Sequence, residues 1–576
     1  MAFQLSPGVN VTEKDLTTIV PSVATTAAGM AGLFEWGPVG LPVLISTVQE
    51  LGALYGLPRD GNYEYWFTAA NYLGYGSNIK IVRGVDEQAA KNATPSNLAA
   101  TLIKQPGDAQ NITTTTNGTF AARYAGELGN SIWVDFCGGA TTGGAGATFG
   151  SWAFKSLFGS IATQSAYADR LGLSASNDAF HLVVVDKDGK FSGTPNTVLE
   201  KYDSLSMIPG AINADGTSLY FKTKINAESR YIVVNGSQTA FETGMTAGFT
   251  AGGSSIVGFT KSGDNYTSGG AYYAKMGGGT GAFSGASDLV GGTNGYQLFA
   301  DPDQIDCALL LGGPLTGNQA QQVCDIAKAR KDCVAFVSVP NKNSAESSST
   351  KLANCSTLRN AIGNNNYAFI DSGYKYMYDP YNDVYRYVPL NGDIAGLCVR
   401  TDITNDPWYS PAGFNRGQIR NVIKLAFNPT QTERDTIYPN AVNPVVTFSG
   451  EGTILFGDRT AQTRPSAFDR INVRRLFIVL EKAIATAAKY SLFEFNDAFT
   501  RAQFKSLVEP FLRDVQARRG ITDFKVVCDE KNNTPQVIDS NQFVADIYVK
   551  PNRSINFIQL NFVATKTGVS FEEVGA

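Results

Sequence analysis

Asp306-Cys-Ala-Leu-Leu-Leu311 is followed by Gly312-Gly313-Pro314, by a helical pattern over Asn318 to Arg330, and by Cys333-Val-Ala-Phe-Val-Ser-Val339. Apolar runs without polar alternation belong to strands covered on both faces, and a helix between two of them makes a β-α-β unit with a parallel strand on each side. The same order stands near the start. An apolar strand around Gly29 to Phe34 leads through Trp36-Gly37-Pro38 to a helix near Val48 to Tyr55, closed by Gly56; a second helix, Tyr63 to Leu73, precedes the strand Ile79-Lys-Ile-Val-Arg83. Together these pieces predict one α/β core. Glycines between strand and helix invite a test for phosphate binding. Gly312-Gly313-Pro-Leu-Thr-Gly317 fits neither G-x-G-x-x-G nor G-x-x-x-x-G-K-[ST], and Gly277 to Gly285 misses both, so the bland reading, a βα turn, is preferred.

Between the two pieces, residues 96 to 300 change character. Gly138 to Gly150, Gly252-Gly253 and Gly277 to Gly285 punctuate short alternating strands such as Ile132-Trp-Val-Asp-Phe136 and Arg230-Tyr-Ile-Val-Val234. This reads as a β-rich insertion, of one or two subdomains, projecting from the core. The 59 glycines in 576 residues, about 10% against a usual ~7%, agree with many tight turns.

Composition excludes several classes of function. Net charge is −4 and no run of five or six basic residues occurs, so the footprint of a nucleic-acid binder is missing. No apolar stretch approaches the ~18 to 20 residues that cross a bilayer, and the N-terminus lacks the hydrophobic core of a secretory signal. The expectation is a protein made in a cytoplasm, with no membrane insertion. Cys137, Cys307, Cys324, Cys333, Cys355, Cys398 and Cys528 lie far apart without a C-x-x-C, which predicts buried thiols and neither a disulfide framework nor a zinc site. The one histidine, His181, sits in an apolar strand and reads as a packed or surface side chain; multi-His metal sites are impossible and most nucleophilic triads are removed. Asp186-Lys-Asp188-Gly189 is too short for an EF-hand loop and reads as a hairpin turn. No catalytic, cofactor-binding or metal-ligating residue is assigned.

After about residue 415 the chain is more helical and more basic, +4 over 416–576 against −8 before it. Ser466-Ala-Phe-Asp469 has the form of a capping box, and Leu476, Leu480, Ile484 and Ala487 give the next helix one apolar face. Thr500-Arg-Ala-Gln503 starts another, in which Phe504, Leu507, Val508, Phe511, Leu512 and Val515 keep helical spacing and Gly520 marks the end. Lys505, Glu509 and Arg513 form a charge row on its outer face, while Arg518 and Arg519 complement the helix dipole. Two strands close the sequence, Val544 to Val549 and Ile555 to Thr565. At the other end Pro7-Gly8 and Pro21 bracket Val9-Asn-Val-Thr-Glu13, strand-like but too short to fold alone. The expected class is an α+β multidomain chain with extended terminal β arms. An N-terminal linker arm spans 1–22, an α/β core 23–95 plus 301–414, the outer insertion 96–300, a C-terminal α/β domain 415–555, and a closing strand and arm 556–576.

Three blocks resemble the tail sheath proteins of contractile-tailed bacteriophages, particularly the T-even-like branch. The first is Ser6-Pro7-Gly8-Val9, Gly32-Leu-Phe-Glu-Trp36-Gly-Pro38 and Tyr75-Gly-Ser-Asn-Ile-Lys-Ile-Val-Arg83. The second is Asn443-Pro444, Gly450 to Thr460 and Ser466-Ala-Phe-Asp-Arg-Ile-Asn-Val-Arg-Arg-Leu-Phe477; the third is Phe495-Asn496-Asp497 with its helix and the closing strands Asp546 to Val563. They cover the first ~90 and last ~150 residues and leave the β insertion without a match.

The resemblance implies a structural virion protein of the tail, not an enzyme. Six-subunit rings of copies stack helically around an inner tail tube, between baseplate and tail terminator proteins, and contract to drive the tube through the host envelope. It makes 415–555 the inner sheath domain and needs no nucleotide or other cofactor. Strand arms suit such a polymer, because contacts that do not close into a ring build an open helix. The expected intersubunit strands carry Val9, Val11 and Glu13 at one end and Ile555, Phe557, Gln559, Asn561 and Val563 at the other. Lys505, Arg513, Arg518 and Arg519 are the candidates to face an acidic tube. Two other readings stay open, the sheath of a bacterial contractile injection particle and a β-rich receptor-binding or surface-lattice protein. A glycan hydrolase would need a carboxylate pair, and none is singled out.

Overall fold

Ala28–Gly32 is a fully buried strand whose residues, apart from Met30, are alanine and glycine, and a Cβ on Gly29 would stand 2.5 Å from the Phe299 ring. It pairs in parallel with Ile79–Arg83 on one side and Leu309–Leu311 on the other. The sheet continues in parallel through Val334–Ser338 to Ala368–Asp371, and Pro42–Ile45 closes the opposite edge antiparallel to Ile79–Arg83. Helices Val48–Tyr55, Tyr63–Leu73, Gly317–Arg330 and Ser348–Ile362 accompany it, and Gly56 and Gly74 cap the first two. The α/β core thus has the strands and helices expected of it.

The structure, a computed structural model, describes residues 24–95, 98–112, 118–138, 149–150, 152–172, 178–236, 260–261, 271–281, 287–291 and 295–560. Contacts divide them into a larger unit, 24–403 with 411–465, and a smaller one, 404–410 with 466–560. The boundary expected at 415 is therefore drawn instead at 466. Residues 411–465 pack with the larger unit because they extend its sheet edge, Asn443 N donating to Ile370 O and Ala461 N to Ala368 O, both at 2.8 Å. Val9, Val11, Glu13, Asn561 and Val563 lie outside the described residues.

Doubly wound sheets commonly bind ligands where the strand order reverses. In this sheet that place lies between Ala28–Gly32 and Leu309–Leu311, and it is filled from within the fold. Asn391, opening the helix Asn391–Thr404, donates from Nδ2 to Gly313 O at 2.8 Å and accepts at Oδ1 from Gly313 N at 3.1 Å. Gly313 holds φ +58° beside Met30 and Tyr65, which is the βα turn expected there.

Two buried cations tie the larger unit together. Arg83 donates to the carbonyls of Phe34 (2.7 Å), Gly37 (2.8 Å), Glu35 (3.2 Å) and Ala125 (2.7 Å), joining the core to the first part of the insertion. Burial pulls its pKa down to about 9. Lys375 Nζ stands 2.9 Å from Asp393 Oδ1, both sealed from solvent, and also donates to Arg420 O at 3.0 Å; Tyr75 donates its hydroxyl to the same carboxylate oxygen at 3.2 Å. Burial raises the pKa of Asp393 while the Lys375 charge opposes the rise.

The insertion forms a second sheet, antiparallel throughout, in the order Thr260–Lys261, Ala271–Gly277, Ile132–Gly138, Ala179–Asp186, Thr197–Ser206. Its core is aromatic, with Phe120, Phe136, Phe180, Phe221 and Tyr272 buried together. His181 is one of its packed side chains: Phe158 stacks on the ring at 4.2 Å, Nε2 donates to Ser160 O at 2.8 Å, and Nδ1 accepts from Ser204 N at 3.2 Å. Burial lowers its pKa, favouring the neutral ring those bonds require. The Asp186 carboxylate accepts from the Ser131 hydroxyl and from the backbone N–H groups of Lys190, Phe191 and Ser192; against burial, which raises its pKa, the bonds from Ser131, Ser192 and Phe191 hold it down, and this is a polar turn between two strands, as expected. All seven cysteines are buried thiols.

Candidate assembly surface

The smaller unit is two long helices and a two-stranded sheet. Ile471–Ala488 buries Leu476, Leu480, Ala483 and Ala487 on one face, and Ile484 packs beside them. Its start differs from expectation. Ser466 caps a separate single turn, Ala467–Asp469, accepting from Phe468 N at 3.2 Å, and the helix begins at Ile471 because the backbone of Arg470 between them is extended, at φ −120° and ψ 138°. Ala498–Ala517 is the second helix. Asp497, not Thr500, is its cap, its Oδ1 accepting from Thr500 N at 2.8 Å. Phe504, Val508, Leu512 and Val515 are buried as their spacing predicts, with Leu507 and Phe511 at the margin.

Its C-terminus closes in a Schellman motif: Arg519 N donates to Gln516 O at 3.0 Å and Gly520 N to Val515 O at 2.8 Å. The left-handed residue of that motif is Arg519, at φ +65°, while Gly520 is needed for space, since a Cβ there would lie 2.7 Å from Val515 Cγ1. Trp408 completes the core. Its indole N–H donates to Arg518 O at 3.0 Å, and the Arg518 guanidinium lies 5.1 Å from the ring centre and pairs with Asp406. Nothing in the pattern around Trp408 had marked it as part of this domain.

Of the four basic candidates, Lys505 and Arg513 lie on the exposed face and share one partner, Glu509, at 3.5 and 3.6 Å. Arg519 is exposed at the helix end. Arg518, by contrast, is built into the Trp408 clamp and does not stand with the outer row.

Ile521–Val527 and Asp546–Pro551 form the antiparallel sheet, and among the described residues no third strand joins it. Phe524, Ile547 and Val549 pack toward the helices. Beyond Pro551 the expected strand from Ile555 is not formed: residues 552–560 have no regular structure. Ile555, Phe557, Ile558 and Leu560 are each at least 71% exposed, and Gln559 is exposed as well. A strand needs a neighbouring strand to bond, and among the described residues none is paired with this segment. Ile555, Asn556 and Phe557 remain next to the helix start, where Arg470 Nε donates to Asn556 Oδ1 at 3.4 Å.

An open sheet edge and an exposed apolar closing segment, among the described residues, make up the candidate surface. The phage tail sheath protein central domain family matches residues 316–461, and the phage tail sheath C-terminal domain family matches 463–565. The tail sheath protein of Vibrio phage KVP40 is 34% identical over 675 aligned positions, and that of Enterobacteria phage T4 is 33% identical over 656; each match covers 99% of both chains. These matches run through the β-rich insertion that the sequence reading left unmatched. Among solved structures, the sheath tail protein of Desulfitobacterium hafniense superposes with a TM-score of 0.52 at 12% identity, over 95% of this chain and 100% of that one. That of Listeria innocua gives 0.51 at 10%, over 92% and 96%; both share the fold. The chain belongs to the tail sheath protein family, and is a structural, non-enzymatic subunit of a contractile phage tail.

Proposed function

We propose that copies of this chain assemble as stacked six-subunit rings around an inner tail tube, linked by strand exchange, and that this linkage holds while the sheath shortens and drives the tube through the host envelope. The observation that carries the reading is the open Ile521–Val527/Asp546–Pro551 sheet beside an exposed closing segment. In it, the Val9–Glu13 arm and the Ile555–Val563 arm of neighbouring copies add strands to that sheet. Four to six added hydrogen bonds at roughly 0.5–1.5 kcal/mol each give several kcal/mol per arm before ordering costs. Such arms act as tethers while subunit bodies rotate and form new interfaces. Deleting residues 1–20 is expected to abolish long polymers in electron micrographs of the purified protein. Normal-length tubes from that deletion would end the reading.

The exposed row Lys505 and Arg513, with Arg519, is proposed to face an acidic tube. Glu509 already half-neutralises the row, which suits a contact that has to release. Charge reversal at Lys505 and Arg513 should weaken tube retention, most at low salt; retention unchanged at every ionic strength would reject the assignment. Baseplate and tail terminator proteins are the partners proposed for the ends of the stack.

A further inference from the structure

The turn between the two long helices carries Tyr490, Leu492, Phe493 and Phe495, and Phe499 follows in the first turn of the second helix. Each of the five is at least 62% exposed, and Phe493 is fully so. At about 200 Å² per large side chain they offer about 800 Å², the share that one partner contributes to a standard protein interface. That exceeds the ~300–600 Å² of the largest apolar patch on an ordinary monomer, and larger patches mark interaction sites.

The loop is held in place. Asn496 Nδ2 donates to Gln542 O at 2.8 Å and to Asn533 Oδ1 at 3.1 Å, and Asn533 Oδ1 also accepts from Val544 N at 2.9 Å. Phe493 is kept at φ +69°, a conformation that costs a phenylalanine energy and persists only when its surroundings enforce it. Those bonds fix the base of the loop at the end of the sheet where Val527 stops and Asp546 starts. A strand added to this sheet runs toward the exposed rings. Within the smaller unit, the described closing segment also exposes a run of apolar side chains, Ile555, Phe557, Ile558 and Leu560, preceded by the basic Arg553, while the loop carries the acidic Glu494, so the two are complementary in both hydrophobicity and charge.

We propose that the 490–499 loop is the seat for the closing segment 555–560 of a second copy, aromatic rings against its aliphatic and aromatic side chains, with Arg553 of the incoming copy toward Glu494. This rests on the strand-exchange reading and specifies what grips the arm where the sheet ends. Two unlike patches on one chain pair head to tail and generate an open series of copies.

The test mixes two full-length variants, Phe495→Cys and Phe557→Cys, under mild oxidation; the native thiols are buried and stay silent. A disulfide-linked dimer is expected only when both variants are present. In one chain, Phe493→Glu with Phe495→Glu should cut polymer yield about tenfold or more while leaving thermal unfolding of the monomer unchanged. Tubes that assemble without any 495–557 cross-link would overturn the loop assignment and leave strand exchange standing. Glutamate variants that polymerise normally but lose the inner tube would overturn it in favour of the tube protein as occupant. If instead the 1–20 deletion still forms tubes, strand exchange fails and the cross-link decides the loop alone.

Discussion

Arg83→Met lowers the unfolding free energy by about 4 kcal/mol, seen as an early urea midpoint in fluorescence of the depolymerised protein. The guanidinium makes four bonds to backbone carbonyls, and no other side chain has the donors to replace it. Charge-assisted bonds contribute about 1.5–3 kcal/mol each, and removing a buried charge returns several kcal/mol of desolvation, which leaves a net loss near 4. Methionine fills the volume and donates nothing. Because one of the four carbonyls, that of Ala125, belongs to the insertion, proteolytic nicking between 96 and 300 should increase in parallel. Arg83→Lys is expected to fall between, since an ammonium is a compact point with three donors and cannot fork to four directions. An unchanged midpoint in the methionine variant would show that the carbonyls find other donors.

Lys375→Met costs about 3–5 kcal/mol at neutral pH, because it strands the Asp393 carboxylate in the interior with only Tyr75 to bond it. The deficit depends on pH with a definite sign. Burial already places the Asp393 pKa above its unfolded value, and losing the lysine raises it further. A carboxyl with a raised folded pKa is least costly below its unfolded pKa near 4 and loses stability as pH rises toward the folded value. The variant should therefore be relatively better at pH 5 than at pH 8, and adding Asp393→Asn should recover part of the loss and flatten the dependence. Equal deficits at both pH values would mean that the pair is not the source of the effect.

How much of this was legible depended on whether a local signal existed. The helices Val48–Tyr55 and Tyr63–Leu73 stand where they were read, and Gly56 marked the end of the first. The parallel strands were legible as solid apolar runs. Ile521–Val527 was not, since a register shift between Ile521 and Asp523 breaks its alternation. The cap of the second helix was misplaced by three residues because Asp497 and Thr500 both carry capping side chains, and only the fold decides which one reaches an amide. The tyrosine-bearing hairpin Tyr374–Asp379/Val384–Pro389 was passed over, being short and polar at alternate sites. The division at 466 depends on hydrogen bonds between Ile370 and Asn443 and between Ala368 and Ala461, which no spacing in the sequence announces. Among the candidate residues, Lys505, Glu509 and Arg513 were found by helical spacing, whereas Arg518 looked identical and proved to belong to a tryptophan 110 residues away in sequence. The aromatic loop Tyr490 to Phe499 has no periodicity, so only its excess of rings in a turn could have drawn attention.

The buried thiols have a consequence for a particle that leaves the reducing interior of a cell. Burial pushes Cys137 up to about 12 and Cys355 to about 12, so almost no thiolate exists to meet an oxidant. A subunit repeated many times along a tail would otherwise offer each neighbour a site for accidental covalent bonding, and with its thiols sealed the chain presents no such site.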